Sequence, residues 1–484
     1  MVSNTHLSTS SFSTQSVFEK LVDYLAQVIF WDPIQALGIE APAKVPIVVL
    51  VLVLAAVYFT FQLGFPNIKY FLVATRILRG KYPEKNTKGE TSHFQALATA
   101  LSATVGLGNI SGVAVAISLG GPGACFWMIV GGIFGMTSKL VECTLGVKYR
   151  MVNANGEVFG GPMYYLKAAF ANKKYKFIGR ILAVLFAILC VGGSIGGGNM
   201  LQANQAFALV ASQVPMLKSQ GLMFGLFMAL LTGFVIVGGI QSIARITSKL
   251  VPLMGTIYVL AGLTVVFINF TSIPSVFILI MKSAFQFDAV KGGFLGVMMI
   301  GLQRACFSNE AGIGSASIAH ATAKTNFPAS EGLVALLEPF IDTVIICTIT
   351  ALVIIFSGVY NVSAESGAVL TSQAFASQIS WFPYVLTVVV FLFAFSTMIS
   401  WSYYGLKAWN FLFGYQKWVG NIFKFIFLSS IIVGTTTELK TVMEFSDMMI
   451  LAMAFPNIIG LILLLDDVKL ELKRYFSFIE QNHS

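Results

Sequence analysis

The chain has 484 residues, of which 56% are hydrophobic and only 11% charged, and it carries a formal net charge of +9. Roughly a quarter of a soluble domain's residues are charged, so this composition, with a mean hydropathy of +0.81, excludes an ordinary soluble domain and indicates an integral membrane protein. The basic excess does not point to nucleic acid, because the charges gather in loops on one side of the apolar segments.

The first 45 residues are rich in serine and threonine and lack a basic stretch followed by an apolar run, so no cleaved signal peptide is expected. Within them, Val17 to Trp31 has the spacing of a short amphipathic helix on the outer face. Crossing the hydrocarbon takes about 20 mostly apolar residues in a helix. A leading span is predicted at 46–64. Ten core spans follow near 93–118, 122–146, 178–212, 221–240, 247–270, 292–322, 328–358, 383–411, 418–436 and 440–466. The fold class is therefore all-α and polytopic, with about eleven transmembrane helices. Core spans 3, 6, 7 and 8 exceed the membrane thickness, so tilt, interruption or extension into water is expected. Between core spans 2 and 3, the run Gly160-Gly161-Pro162-Met163-Tyr164-Tyr165-Leu166 is expected to open a helix along the inner interface. Cys125, Cys143, Cys190, Cys306 and Cys347 lie in apolar stretches at no metal-ligand spacing and read as small buried hydrophobes.

Basic residues set the orientation. With the N-terminus outside, the inner loops and tail carry 22 lysines and arginines and the outer segments six, with Lys139 and Arg304 inside spans. This places 1–45 outside and 467–484 in the cytoplasm.

Two core spans are interrupted by glycine. The first contains Thr104-Val105-Gly106-Leu107-Gly108-Asn109-Ile110-Ser111-Gly112, and the sixth contains Ser308-Asn309-Glu310-Ala311-Gly312-Ile313-Gly314-Ser315. They stand five spans apart, an odd number, so the second half enters the membrane from the opposite side. Two five-helix halves, 93–270 and 292–466, form an inverted repeat on this reading. Backbone groups in hydrocarbon must find partners, and a glycine in a helix interior costs about 1 kcal/mol relative to alanine. Clustered glycine beside Asn109, Asn309 and Glu310 thus favours local unwinding. Freed carbonyls suit a monovalent cation, and freed amides at a helix start suit a carboxylate. Close helix packing through small residues is the competing reading.

Core span 3 carries Gly192-Gly193-Ser194-Ile195-Gly196-Gly197-Gly198-Asn199-Met200-Leu201-Gln202. Asn199 and Gln202 share a helix face, where they either line a cavity or bond to neighbouring helices. In core span 8, Ser396 and Thr397 offer adjacent hydroxyls, and Trp401 lies one turn from Thr397. Those hydroxyls either complete an oxygen cage or bond back to their own helix. Charges inside spans are functional candidates. Arg304, Glu338, Asp342, Lys139, Glu142, Glu444 and Asp447 are expected to form structural or gating pairs, and Glu310 stands apart from them. His320 lies beyond the sixth span's break, where a proton-relay role is an alternative. No catalytic or nucleotide-binding motif occurs, so an enzyme is not expected.

These residues resemble a known family. The run from Ala98 to Val113, Gly120-Gly121-Pro122-Gly123-Ala124, Phe126-Trp127-Met128 and Gly160-Gly161-Pro162-Met163-Tyr164-Tyr165 are similar to the alanine or glycine:cation symporters. So are Asn309-Glu310-Ala311-Gly312 through Ile318-Ala319-His320-Ala321, and Phe340-Ile341-Asp342-Thr343. The likeness runs from about 46 to 466. It implies a LeuT-like five-plus-five fold with one extra leading helix, and Na⁺-coupled uptake of a small neutral amino acid across a bacterial plasma (inner) membrane. It also implies that the carbonyls of Ser102 and Val105 and the hydroxyls of Ser396 and Thr397 hold Na⁺. The amides around Leu107 and Gly108 would receive the substrate carboxylate, and Gln202, Thr397 and Trp401 would line the pocket. Many relatives have threonine in place of Leu107 and an acidic residue in place of Leu406, which leaves the exact substrate and the inner gate open.

The expected substrate site thus comprises Gly106, Leu107, Gly108, Asn109, Asn199, Gln202, Asn309, Glu310, Gly312, Thr397 and Trp401. The expected function is secondary active transport of alanine or glycine with Na⁺ by alternating access. A proton-coupled symporter and a transporter-like amino acid sensor are the alternatives. The partners are the amino acid, Na⁺ and the bilayer, with no nucleic acid. The oligomeric state and the choice among alanine, glycine, serine and D-isomers are not legible.

Overall fold

The computed structural model describes residues 24, 26–37, 44–171, 174–286, 293–363 and 367–483. The chain enters the bundle at Pro46, which starts the uniformly apolar α1 (Ile47–Gln62). Such a helix has no polar face and is suited to lipid and protein contact alike. Left-handed Gly64 and Phe65 end it, and α2 (Phe71–Leu78) follows. Ser92 then caps α3 (His93–Thr104) in a reciprocal capping box with Gln95.

The next elements are built around interruptions. α3 stops at Thr104, a widened turn covers Gly108–Gly112, and α4 (Val113–Gly120) continues at a 50° bend. Gly121, at φ +68°, turns the chain into α5 (Gly123–Lys148). A short antiparallel hairpin pairs β1 (Met151–Val152) with β2 (Val158–Phe159), Met151 opposite Phe159. α6 (Pro162–Ala169) and α7 (Lys176–Ile195) follow, and a widened turn at Gly196–Met200 leads into α8 (Leu201–Gln213). Beyond it come α9 (Gly221–Ile236), α10 (Gly239–Ile268) and α11 (Ile273–Ala284).

The second half opens with α12 (Gly293–Asn309), which breaks over Glu310 to Ser315 before α13 (Ala316–His320). α14 (Pro328–Ala335) passes through a widened stretch at Phe340–Cys347 into α15 (Thr348–Ser357), with α16 (Gly367–Ala376) beyond. α17 (Phe382–Phe413) is continuous over 32 residues. α18 (Lys417–Thr436), α19 (Leu439–Ala452), α20 (Ala454–Leu463) and α21 (Leu465–His483) complete the chain. α5 packs against α12 and α14, α7 against α17, and α9 against α18. Continuous α5 and α17 thus pack directly against the interrupted α12, α14 and α7.

Among the described residues, seven helices are long and apolar enough to cross a membrane, or eight if the bent α3–α4 pair is one span. The expected eleven is not reached by that measure. The reason is physical: α1 and α9 have only 16 residues each, and neither half of the α12–α13 break has a full span's length. The amphipathic helix expected over 17–31 lies mostly outside the described residues, although 26–29 are helical. The run from Pro162 does start a helix, but Pro162 to Leu166 are buried against α7 and α20 instead of lying on a surface. All five cysteines are buried and free.

The last helix is anchored. Lys148 Nζ lies 2.9 Å from Asp467 Oδ1, and the Tyr149 hydroxyl donates to Asp467 Oδ2 at 2.6 Å. Burial pushes the Asp467 carboxyl up, but these two donors and the Lys148 charge outweigh it and hold the group below the usual carboxylate range.

Candidate functional site

Where α3 gives out, two backbone amides lose their helical acceptors and find side chains. The Gly106 N–H donates to Asn109 Oδ1 at 2.9 Å, and the Leu107 N–H donates to Gln202 Oε1 at 3.2 Å. Gln202 Nε2 in turn donates to the Gly197 carbonyl at 2.8 Å, inside the widened turn before α8. Two interruptions in different helices therefore share one glutamine. A Cβ on Gly106 would stand 2.6 Å from Thr397 Oγ1 and 3.1 Å from Gln202 Oε1. Only glycine lets the backbone come this close to both side chains.

One turn earlier, α3 meets α17 through a crossed pair of bonds. The Ser102 hydroxyl donates to the Ser396 carbonyl at 2.7 Å, and the Thr397 hydroxyl donates to the Ser102 carbonyl at 2.9 Å. The Ser396 hydroxyl turns back to the Phe393 carbonyl at 3.0 Å. Val105 caps the end of the first half-helix and is buried. Of the four residues expected to hold the cation, Ser102, Ser396 and Thr397 thus meet at one helix contact. Ser102, Ser396 and Thr397 present neutral oxygens there, a donor set suited to a hard monovalent cation.

Asn109 faces the second half. Its Nδ2 lies 2.6 Å from Asp342 Oδ1, 3.0 Å from the Asp342 carbonyl and 3.1 Å from Ser308 Oγ. Asp342 Oδ2 accepts from the Ser308 hydroxyl at 2.7 Å and from the Thr343 hydroxyl at 2.8 Å. Asp342 is fully buried, and no lysine, arginine or histidine among the described residues lies within ion-pair distance of it. Glu338 and Asp342 stand four apart and would share one face of a regular α-helix, but they do not do so here. The widened turn at Phe340–Cys347 separates them, so Glu338 goes to Lys139 and Asp342 to Asn109.

The sixth-span break divides its residues between two environments. Phe307 and Ser308 face Gly108, with the nearest atoms 3.7 Å from where its Cβ would be. Asn309 caps its own break, accepting from the Ala311 N–H at 3.0 Å and donating to Thr343 Oγ1 at 3.1 Å. Glu310, at φ +54°, accepts from the Ser315 hydroxyl. The Gly312 and Gly314 N–H groups donate to Glu142 Oε2 at 3.1 and 3.0 Å, and the Gly312 carbonyl accepts from Asn457 Nδ2 at 2.9 Å. The wall facing Gly108 is therefore Phe307–Ser308, while Glu310 and Gly312 belong to a neighbouring polar network.

Asn199 is used between helices: its Nδ2 donates to the Phe427 carbonyl of α18 at 2.5 Å. Trp401 is buried against Gly198, where no side chain would fit, and stacks edgewise on Tyr404 at 5.3 Å. α17 also connects two cavities. One, of about 660 Å³, reaches Pro383 and Tyr384 near its start. The other, of about 510 Å³, is lined by Tyr403, Leu406 and Lys407 near its end. At about 1.5 Å per residue, Thr397 lies roughly 20 Å from Tyr384 and roughly 13 Å from Leu406. The polar contact sits between cavities at opposite ends of one helix.

Arg304 pairs with Asp447, joining α12 to α19. Sequence reasoning missed that Asp342, Ser308, Glu142 and Asn457 hold the two breaks. For Asp342 the available signal was a carboxylate inside a span. Glu142 carried the same signal, and Asn457 carried none.

Glycine-broken helices packed inside a polytopic bundle, with freed amides and neutral oxygens gathered at their contact, define a membrane transporter. A model of the sodium:alanine symporter family matches residues 36–484, and the chain belongs to that family. It is 40% identical over 447 residues to the sodium/alanine symporter AgcS of Methanococcus maripaludis, covering 91% of this chain and 96% of that one. It is 36% identical over 418 residues to the amino-acid carrier protein AlsT of Bacillus subtilis, covering 86% of each. To the probable sodium/glutamine symporter GlnT of the same organism it is 34% identical over 431 residues, covering 89% and 87%. Among solved structures it is similar to MhsT in complex with L-phenylalanine, at 16% identity and a TM-score of 0.47, covering 79% of this chain and 99% of that one. The relatives are named as transporters, not enzymes, and the chain is a multi-pass membrane protein of the cation-coupled amino acid symport class.

Proposed function

We propose that this protein couples Na⁺ influx to the uptake of a small neutral amino acid, alanine or glycine, by alternating access. The crossed Ser102–Ser396 and Thr397–Ser102 bonds carry the reading. They bring a carbonyl and hydroxyls together one turn from the amides of Gly106 and Leu107, which would receive a carboxylate. On binding, the Ser102 and Thr397 O–H groups would turn away from these bonds and the freed oxygens would face Na⁺ through their lone pairs. The carboxylate would displace Gln202 Oε1 from Leu107. Gly106, Trp401 and Phe307 leave little depth around that point, which favours a substrate with a small side chain. The name of AgcS agrees with alanine, whereas that of GlnT cautions that family membership alone does not choose the amino acid.

In this account the spans number eleven, with α1 leading two inverted five-helix halves and the α12–α13 break counted as one span. The N-terminus lies outside and the C-terminus in the cytoplasm of a bacterial plasma membrane, as the basic residues favour. Asp342 supplies a buried carboxyl beside the first break, which when ionised would favour entry of a cation. The two cavities at the ends of α17 would serve as the alternating entrances.

Uptake of labelled alanine into proteoliposomes under an inward Na⁺ gradient tests the coupling. A panel of unlabelled glycine, serine, glutamine and D-alanine, competing with the labelled substrate, tests the specificity. Glutamine competing as well as alanine would overturn the small-substrate reading.

A further inference from the structure

A second set of titratable groups, outside the Ser102–Thr397 contact, runs from the bundle surface to the α12–α13 break. His93 Nδ1, at the start of α3, meets Glu331 Oε2. The other oxygen of Glu331 lies 2.6 Å from His320 Nδ1. His320 Nε2 faces Glu338 Oε2 at 3.6 Å, and the other Glu338 oxygen lies 2.9 Å from Lys139 Nζ. Lys139 is 3.6 Å from Glu142 Oε1, and Glu142 Oε2 takes the N–H groups of Gly312 and Gly314. The side chains of Lys139, Glu142, His320, Glu331 and Glu338 are fully buried, and only His93 reaches the surface, with 22% of its side chain exposed.

We propose that this cluster is a proton-binding site that exchanges with water through His93 and, through Glu142, sets the conformation of the α12–α13 break.

The charge balance requires bound protons. Glu142, Glu331 and Glu338 oppose a single lysine, so the buried cluster carries two uncompensated negative charges when both histidines are neutral. Burying unbalanced charge is strongly unfavourable. Two imidazoles lie directly on the carboxylates, and protonating both brings the cluster to neutrality. Its surroundings do not supply the missing positive charge. Arg150, just beyond α5, acts on Glu331, but Glu84 acts on His93, Glu310 on Lys139, and Glu338 itself on Asp342. The other titratable neighbours are Cys143 beside Lys139, Tyr165 near Glu142, and Tyr404 near Glu338, all neutral when protonated.

Two polar atoms mark where a proton would move. His320 Nε2 and Glu338 Oε2 face each other and both lack a hydrogen-bond partner, as does Glu142 Oε1 at the far end. A proton shifted from His320 onto Glu338 would weaken the hold of Glu338 on Lys139 and release Lys139 toward Glu142. Glu142 is the acceptor for two amides in the break, at left-handed positions φ +84° and +97°. Its charge therefore bears on whether the break keeps this shape. Only the consequence for turnover rests on the symport reading, because proton binding is a property of the chain itself.

Infrared difference spectroscopy of the full-length protein in lipid nanodiscs, stepped through pH, reads the cluster directly. Imidazole and carboxyl bands that titrate together are expected, with loss of the imidazole component in His320→Gln and a shifted titration in His93→Gln. Should His320→Gln fail to assemble, His93→Gln at the surface end decides alone. Unchanged spectra in His93→Gln, or no coupled titration in the wild type, would overturn the proposal. In parallel, Na⁺-driven alanine uptake should depend on the pH inside the proteoliposome and lose that dependence in His93→Gln. Coupled titration without any alanine uptake would leave the proton site standing and remove the symport reading. Alanine uptake with no titrating bands would do the reverse.

Discussion

Ser102 and Thr397 bind each other's helices in opposite senses. The Thr397 hydroxyl donates to the Ser102 carbonyl at 2.9 Å, while the Ser102 hydroxyl donates to the carbonyl of Ser396 at 2.7 Å. Thr397→Val keeps the shape of the side chain and removes its hydroxyl, leaving the Ser102 carbonyl without that donor. The ion also loses one oxygen ligand, and a polar contact to a charged group is worth about 1.5–3 kcal/mol. Apparent Na⁺ affinity should fall roughly ten- to a hundredfold. Because binding linkage is reciprocal, Na⁺ should then strengthen alanine binding less than it does in the wild type. Equilibrium binding of labelled alanine across a Na⁺ series checks both.

Gly106→Ala tests the closeness of the first break to α17. The added methyl would meet Thr397 Oγ1 at 2.6 Å, and that hydroxyl is already fixed by Ser102. Overpacking of this kind costs about 1–3 kcal/mol. Transport should drop roughly ten- to a hundredfold with normal membrane insertion. Gly255→Ala, where the new methyl meets nothing within 4 Å, should transport normally.

Asp342→Asn and Asp342→Ala separate charge from hydrogen bonding. The amide variant keeps one acceptor oxygen, for either Asn109 or the two hydroxyls, and turns the other into a donor, whereas alanine removes all of these bonds and frees Asn109 to release the Gly106 amide. The expected order of Na⁺-driven uptake is wild type, then Asn, then Ala. The Ala variant should also lose thermal stability, by about 1–3 kcal/mol per stranded polar partner. Equal uptake by all three would show that Asp342 serves neither function.

The contact that docks α21 should weaken in acid. The Asp467 carboxyl sits below its ordinary range when folded, so its contribution is present above the unfolded value and is lost as pH falls through the folded one. Limited proteolysis of the tail should accelerate below about pH 4. Asp467→Asn should show the faster rate at neutral pH, and a pH-independent rate in the wild type would contradict the assignment.

Much of this architecture could be read from the chain. Apolar runs and the two glycine-rich breaks marked where helices run and are interrupted, because lipid imposes length and composition on a helix. Ser102, Thr397, Gly106, Leu107 and Gln202 were legible through motif resemblance, and the structure brings them into one contact. What stayed hidden depended on helix phase. Glu338 and Asp342 would share one face at α-helical spacing, but with the widened turn at Phe340–Cys347 between them Asp342 meets Asn109. Asn199 resembles Gln202 in sequence, yet it bonds to the Phe427 carbonyl because it falls in the turn before α8. Glu142 and Gly314 lie 172 residues apart, and no local pattern predicts that they meet.

The central claim is that the Ser102–Thr397 contact binds Na⁺ and ties it to amino acid uptake. Initial rates of labelled alanine uptake into proteoliposomes, with an inward gradient of Na⁺, K⁺ or choline at equal ionic strength, test it most directly. Uptake is expected only with Na⁺, and Thr397→Val should shift its Na⁺ dependence to higher concentration. Equal uptake with K⁺ or choline, or an unshifted Na⁺ dependence in Thr397→Val, would contradict it.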